Sequence, residues 1–376
     1  EGSMYAFDNA EIQPSSTTLF VKANQYFYLC GHFDVEVVHG ECYLDGVQLM
    51  SGVHHVEQPV YSPAHSFVCT VDSTLRFTPL ECSFPELYQL PPSTMSLKSV
   101  SADCLLSKNA FPFGGVLIVN ESSVMRKMVV PSNWRRICRR IFNTCTEGPL
   151  RMMVVGAKGV GKSLFTNILT NTLVRSNKVC VLDMDPGQPL SGKVGCLSLL
   201  VYEDQMFSES FIHNKEVSGT HYVFGSNNIG INIPLYLKIF EEMIMTYNAQ
   251  FSGLPMIVNT GGWVNGLGAD LLLSMMKMAD IQLTIDITQN DKLTIREKAT
   301  PLYVAVKSMS SVPTHLPNIF TPQTRRFYMQ KTQFIGAEWY QIPLNGFCLQ
   351  YTGEFDNHFA LCAIHQQHVF LAHNNE

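Results

Sequence analysis

One stretch constrains this chain more than any other: "MMVVGAKGVGKSLFTNIL", from Met152 to Leu169. Four apolar residues lead into Gly156-x-x-x-x-Gly161-Lys162-Ser163, and a helical pattern comes at once after it. This is the Walker A spacing in a strand–loop–helix setting. The glycines let the backbone curl, so that the N–H groups of Gly156, Ala157, Lys158, Gly159, Val160, Gly161, Lys162, Ser163 and Leu164 face phosphate oxygens. Lys162 is placed to reach the β- and γ-phosphates, and Ser163 to ligate Mg²⁺. A chance glycine-rich turn is the competing reading.

From Pro149 to about Asp291 the pattern around this loop is α/β. "MMVVG", "KVCVLDMD", "LPMIVNTGG" and "IQLTIDIT" read as buried strands, with helical stretches such as "IPLYLKIFEEMIMTYNAQF" and "GADLLLSMMKMAD" between them. Such alternation predicts a parallel sheet covered on both faces, with ligands at the C-terminal ends of its strands. Before about Val130 the chain is dense in short alternating runs with turns at His39-Gly40 and Asp45-Gly46, the signature of a β-sandwich or barrel-like domain. After Phe334 β character returns. The expected organisation is an N-terminal β-rich domain over 5–128, a P-loop parallel-sheet domain over 129–329 and a C-terminal β-rich module over 330–376. The opening "EGSM", residues 1–4, reads as a cloning remnant and stays outside the fold reasoning.

Length and composition narrow the class. A chain of 376 residues suits two or three domains, and 46% apolar with 15% charged residues suits a compact soluble protein. A net charge of −5 excludes a wholesale nucleic-acid coat but permits a local basic patch. Such a patch lies in "VPSNWRRICRRIFNTC", where a linker helix is expected over 131–143, capped by Ser132 or Asn133. It would bury Trp134, Ile137, Cys138 and Ile141 and present Arg135, Arg136, Arg139 and Arg140, of which Arg135 and Arg139 are candidate RNA-phosphate contacts. A solvated face is the alternative. Eleven cysteines include no C-x-x-C pair, which fits neither a disulfide framework nor a zinc site and points to reduced thiols inside a cell. No run has the length of a membrane span, no signal peptide opens the chain, and the scattered N-terminal histidines read as surface or core residues.

The residues just past the second strand choose the reaction. "LDMDPGQP" carries two carboxylates, and Asp185, nearer the turn, is the better placed to meet substrate. Asp183 either faces the Mg²⁺ hydration shell or structures the turn. With Gln188 beside the P-loop, an Asp here suits delivery of phosphate to a hydroxyl whose proton the carboxylate takes. A GTPase switch would carry N-K-x-D, whereas "QNDK" has the wrong order, and the Asp-Glu strand end of a motor or helicase is absent. The third strand runs into "NTGGWVNGLG". There Thr260, Gly262 and Trp263 would form a loop that clamps an acceptor strand, the indole stacking on a base. A buried structural Trp is the competing reading.

Taken together, Gly156–Ser163, "DMDPGQP" and "NTGGWVNGLG" resemble the polynucleotide 5′-hydroxyl kinase family, and within it the nucleolar branch that processes pre-ribosomal RNA. The sister branch, in mRNA 3′-end formation and tRNA splicing, is similar in the first two motifs. The resemblance extends over the whole chain, but only the kinase motifs are specific. It implies an ATP- and Mg²⁺-dependent kinase acting on RNA with a 5′-hydroxyl end, in the nucleus and nucleolus, beside an endonuclease partner. Residue by residue it implies Lys162 and Ser163 on phosphate and Mg²⁺, Asp185 as general base, and Gln188 helping to order the metal or phosphates. It further implies Thr260 and Trp263 as the RNA clasp, and Arg325 or Arg326 as the lid arginine. An ATP-binding scaffold of an RNA-processing complex is the rival reading.

Overall fold

The computed structural model describes residues 10–13, 15–58, 63–80, 116–118, 128–208, 217–288, 300–308, 326 and 329. All of them belong to one compact unit that runs to Gln333. The C-terminal module expected over 330–376 lies outside the described residues, as do residues 1–4 and Arg325.

The N-terminal part is an antiparallel β structure of nine strands among the described residues: β1 (Ala10–Gln13), β2 (Ser16–Val21), β3 (Tyr26–His39), β4 (Cys42–Leu44), β5 (Val47–Gln48), β6 (Val53–Gln58), β7 (His65–Cys69), β8 (Ser73–Pro79) and β9 (Val116–Ile118). The long strand β3 organises it by changing partners at Gly31. Its first half pairs with β7, and its second half pairs with β6 and β8. The glycine holds φ at 125°, a value costly for any residue with a Cβ, at the point where the strand exchanges partners. Alternating residues then converge on a phenylalanine cluster. Phe27 stacks on Phe67 at 5.0 Å, and Phe33 meets Phe77 edge-on at 5.6 Å.

The second part is a seven-stranded sheet, in the order β13-β12-β11-β14-β10-β15-β16. Its strands are β10 (Arg151–Val155), β11 (Val179–Met184), β12 (Cys196–Tyr202), β13 (Ser218–Val223), β14 (Met256–Thr260), β15 (Leu283–Thr288) and β16 (Leu302–Lys307). Five are parallel, as the α/β alternation predicts. The sheet is mixed rather than wholly parallel, because β12 and β13 run antiparallel at one edge. The connection from Asp185 to Gly195 contains no helix, so the chain doubles back beside β11 instead of crossing over the sheet. The helices are α1 (Ser132–Cys145), α2 (Lys162–Leu173), α3 (Ile233–Gln250) and α4 (Leu267–Met278). Among the described residues no helix is long and apolar enough to cross a membrane.

The expected boundary near residue 128 does not separate two cores. One apolar cluster runs from Leu19, Phe33 and Phe77 of the β structure through Trp134 and Ile141 of α1 to Phe165 and Leu169 of α2. Polar bonds reinforce the seam. Gln205 accepts from the Met50 N–H at 3.0 Å and donates to the Gln48 carbonyl at 2.9 Å, and the Ser208 hydroxyl accepts from the Glu57 N–H.

Candidate active site

The P-loop joins the C-terminal end of β10 to the first turn of α2. Gly161 caps the helix with φ at 102°, and a Cβ there would come within 3.0 Å of Cη2 of Trp134. That position therefore admits glycine on two counts, backbone and space. Trp134 is fully buried, stands edge-on to Phe165 at 5.2 Å and donates its indole N–H to the Lys307 carbonyl at 2.8 Å. Helix α1 thus braces the back of the loop against β16. Sequence reasoning places Trp134 on the buried face of α1 but gives no sign that it props the phosphate loop.

A cleft of about 650 Å³ opens at the C-terminal ends of β10, β11 and β14. It brings together Lys162, Ser163, Asp185, Gln188, Trp263 and Arg326. Lys162 is buried, and its ammonium donates to the Ala157 carbonyl at 3.0 Å. Burial holds its pKa below the usual lysine value, and the charge of Asp185 opposes that shift. Asp185 lies just past the end of β11. Its Oδ1 accepts from the N–H groups of Gly187 and Gln188 at 3.0 and 3.1 Å, fixing the turn, while Oδ2 has no protein partner among the described residues. The carboxylate is therefore oriented and retains an oxygen for chemistry.

Asp183 takes the other course. It is fully buried, and both oxygens are engaged, Oδ1 by the Asn259 side-chain amide at 2.9 Å and Oδ2 by the Leu190 N–H at 2.6 Å. Thr166 extends the chain by donating to Asn259 at 3.3 Å. Burial pushes the Asp183 carboxyl up to about 7, against the pull of the Asn259 bond. As a metal ligand Asp183 does not fit. It ties α2, β14 and the loop after β11 together beneath the cleft, which is the turn-building alternative.

Thr260 also departs from the expected clasp. It is the last residue of β14, it is buried, and its hydroxyl donates to the Val154 carbonyl of β10 at 2.8 Å. The strand runs one residue further than a clasp would need, so the cleft is met by Gly261 and Gly262 instead. Trp263 is half-buried: it lines the cleft while packing on the apolar layer beneath α3 and α4. Arg135 and Arg139 are not among the residues lining the cleft. The Arg135 side chain lies instead over Gly46 in the β4–β5 turn, and Arg139 is exposed. Helix α1 begins at Ser132 after Pro131 with no side-chain cap bond, rather than being capped by Ser132 or Asn133. Sequence reasoning missed the Asn227–Ile229 segment, which lines the cleft without any motif to announce it.

The donor set suits a magnesium ion. Ser163 and Gln188 offer hard oxygens on one cleft, and the described residues hold no group of three or more His, Cys, Asp or Glu that would cage a metal. Magnesium commonly binds this way, through one or two protein oxygens plus substrate phosphates. Ser163, Leu164 and Gln188 also line a second cavity of about 310 Å³, which extends between α2 and the N-terminal strands to Asp45 and His65. There Asp45 accepts from His65 Nδ1 at 2.5 Å and from the Ser66 N–H at 2.8 Å.

Comparison with known proteins agrees with this geometry. Residues 156–330 match the family model described as the mRNA cleavage and polyadenylation factor CLP1 P-loop. Polynucleotide 5′-hydroxyl-kinase GRC3 of Gibberella zeae is 27% identical over 336 residues, covering 80% of this chain and 44% of the relative. Polynucleotide 5′-hydroxyl-kinase nol9 of Dictyostelium discoideum is 26% identical over 157 residues, 40% of this chain and 23% of the relative. The chain thus spans less than half the length of these curated relatives. The fold is shared with a solved Clp1p in complex with a Pcf11p segment, at a TM-score of 0.51 and 12% identity over 85% of this chain and 72% of that one. In sequence this chain is similar to polynucleotide 5′-hydroxyl-kinases, residues 156–330 match a P-loop of the CLP1 type, and the fold is that of Clp1p.

Proposed function

We propose that the protein is an ATP-dependent polynucleotide 5′-hydroxyl kinase that phosphorylates the 5′ end of RNA during pre-ribosomal RNA processing in the nucleus and nucleolus. The observation that carries this reading is the meeting of a phosphate loop, an oriented carboxylate with a free oxygen, and a half-buried indole on one cleft. A scaffold that merely holds ATP needs neither the carboxylate nor the indole.

In this reading the triphosphate lies along the loop under Lys162, and its base enters the second cavity beside Asp45 and His65. Magnesium would be held by Ser163 with Gln188 beside it, and would supply charge neutralisation on the phosphates. The 5′-hydroxyl oxygen attacks the γ-phosphorus, and the bond to the bridging oxygen of ADP breaks. Oδ2 of Asp185 takes the hydroxyl proton. Arg326 faces the cleft from the segment expected to form the lid, where a guanidinium would neutralise the equatorial oxygens of the moving phosphoryl group. Arg325 lies outside the described residues. An endonuclease that leaves a 5′-hydroxyl end is the partner such a kinase would serve.

Incubation with γ-labelled ATP and a 5′-hydroxyl RNA oligonucleotide, with a matching DNA alongside, tests the reading. Label on the 5′ end supports it. ATP binding without transfer to either acceptor favours the scaffold.

A further inference from the structure

We infer that Ile229 is a second acceptor-contacting residue, which forms with Trp263 a single apolar platform under the terminal nucleoside of the polynucleotide. The inference rests on the kinase reading of this cleft.

The cleft is lined mostly by backbone and by side chains suited to phosphate and hydroxyl groups. Among the described residues its apolar side chains are Leu164, Ile229 and Trp263. Leu164 belongs to α2 and also lines the cavity toward the N-terminal strands, so it sits on the donor side. Ile229 sits with the acceptor loop. A Cβ at Gly261 would meet its Cδ1 at 2.6 Å, and a Cβ at the adjoining Gly230 would lie 3.9 Å from Cη2 and Cζ3 of Trp263. The same segment reaches the catalytic turn, because a Cβ on Gly187 would lie 3.1 Å from the Asn227 carbonyl and 3.3 Å from Oδ1 of Asp185.

The turn that carries Ile229 is held in shape. The Asn228 side chain accepts from the Gly230 N–H at 3.0 Å, the Ser226 hydroxyl accepts from the Asn228 N–H at 3.0 Å, and Asn232 caps α3 by accepting from the Leu235 N–H at 3.1 Å. A fixed polar turn thus presents one half-buried isoleucine to the cleft, next to an indole and near Asp185. Phosphates gain nothing from that surface, whereas the flat, weakly polar body of a nucleoside does.

The test is binding of a labelled 5′-hydroxyl oligonucleotide by fluorescence anisotropy, with KM for both substrates measured in parallel, for the wild type and Ile229→Ala. We expect the oligonucleotide to bind about tenfold more weakly to the variant, as loss of one apolar contact of this size implies. KM for ATP should stay unchanged, with at most a small fall in melting temperature from the packing Ile229 makes on the layer beneath. An acceptor lacking its terminal base should bind both proteins equally. Unchanged oligonucleotide affinity overturns the platform, as do equal losses on base-bearing and abasic acceptors, or a joint loss of ATP affinity and melting temperature. Absence of transfer by the wild type would remove the kinase reading, while the anisotropy comparison would still decide whether Ile229 touches the strand.

Discussion

Gly262 and Lys158 are so close that a Cβ on the glycine would sit 2.8 Å from the lysine Cα and 2.9 Å from its backbone nitrogen. The loop after β14 therefore rests directly on the phosphate loop. In Gly262→Ala a backbone, not a flexible side-chain end, must yield. We expect KM to rise for ATP and oligonucleotide together, by about tenfold each, which corresponds to roughly 1.4 kcal/mol. Steady-state kinetics with each substrate varied in turn checks this, and a rise confined to one substrate would count against the contact.

Lys162→Ala should abolish phosphoryl transfer and leave the fold standing. The ammonium faces the cleft and, among the described residues, bonds only to the Ala157 carbonyl of its own loop, so its loss removes charge from the phosphate site rather than volume from the core. Transfer assays and a melting curve run side by side check both halves, and wild-type turnover would remove the loop from catalysis.

The two carboxylates after β11 should separate cleanly. Asp185→Asn keeps the turn-building acceptor and loses the base, so turnover should drop by about 10² or more with the melting temperature nearly unchanged. Asp183→Asn should do the reverse. Its new NH₂ group must face either the Asn259 amide or the Leu190 N–H, both donors, at a cost of about 1–3 kcal/mol in stability. In the wild type the folded state raises this carboxyl from 3.8 to about 7. The folded protein thus retains a proton that the unfolded chain releases, and stability falls as pH rises through that window. Melting temperatures taken from pH 4 to 7 should show this slope in the wild type and a flatter line in Asp183→Asn.

The two tryptophans on either side of the P-loop should likewise part. Trp134→Ala opens a cavity behind Gly161 and should cost about 3–5 kcal/mol, damaging both ligands with the fold. Trp263→Ala should weaken the oligonucleotide by about 1–3 kcal/mol and spare ATP. Equal losses with a large drop in melting temperature would return Trp263 to a structural role.

Much of this architecture was legible because the P-loop couples spacing to geometry: one motif implies a strand, a turn and a helix. The direction of the neighbouring strands was less legible. "CLSLLVY" of β12 is wholly buried, and a buried apolar run carries no mark of parallel or antiparallel pairing. The clue lay in the helix-free connection before it. Around the cleft, Asp185 and Trp263 stand beside recognisable turns, whereas Thr260 is the last residue of β14 and its hydroxyl is taken by the neighbouring strand, a pairing the sequence does not mark. Ile229 belongs to a short turn with no periodicity and no motif. Only tertiary contact with Gly261 brings it to the cleft.

The apolar cluster shared by the β structure and α2 also bears on how the chain is made. Synthesis delivers the N-terminal strands and α1 first, and the surface that Phe165 and Leu169 will cover stays bare until the chain beyond the phosphate loop has been made. A nascent chain arrested before Lys162 therefore shows an open greasy flank to chaperones, and one arrested after Leu173 has the α2 residues needed to cover it. The nucleotide-binding loop and the closure of the N-terminal half thus arrive in the same stretch of translation.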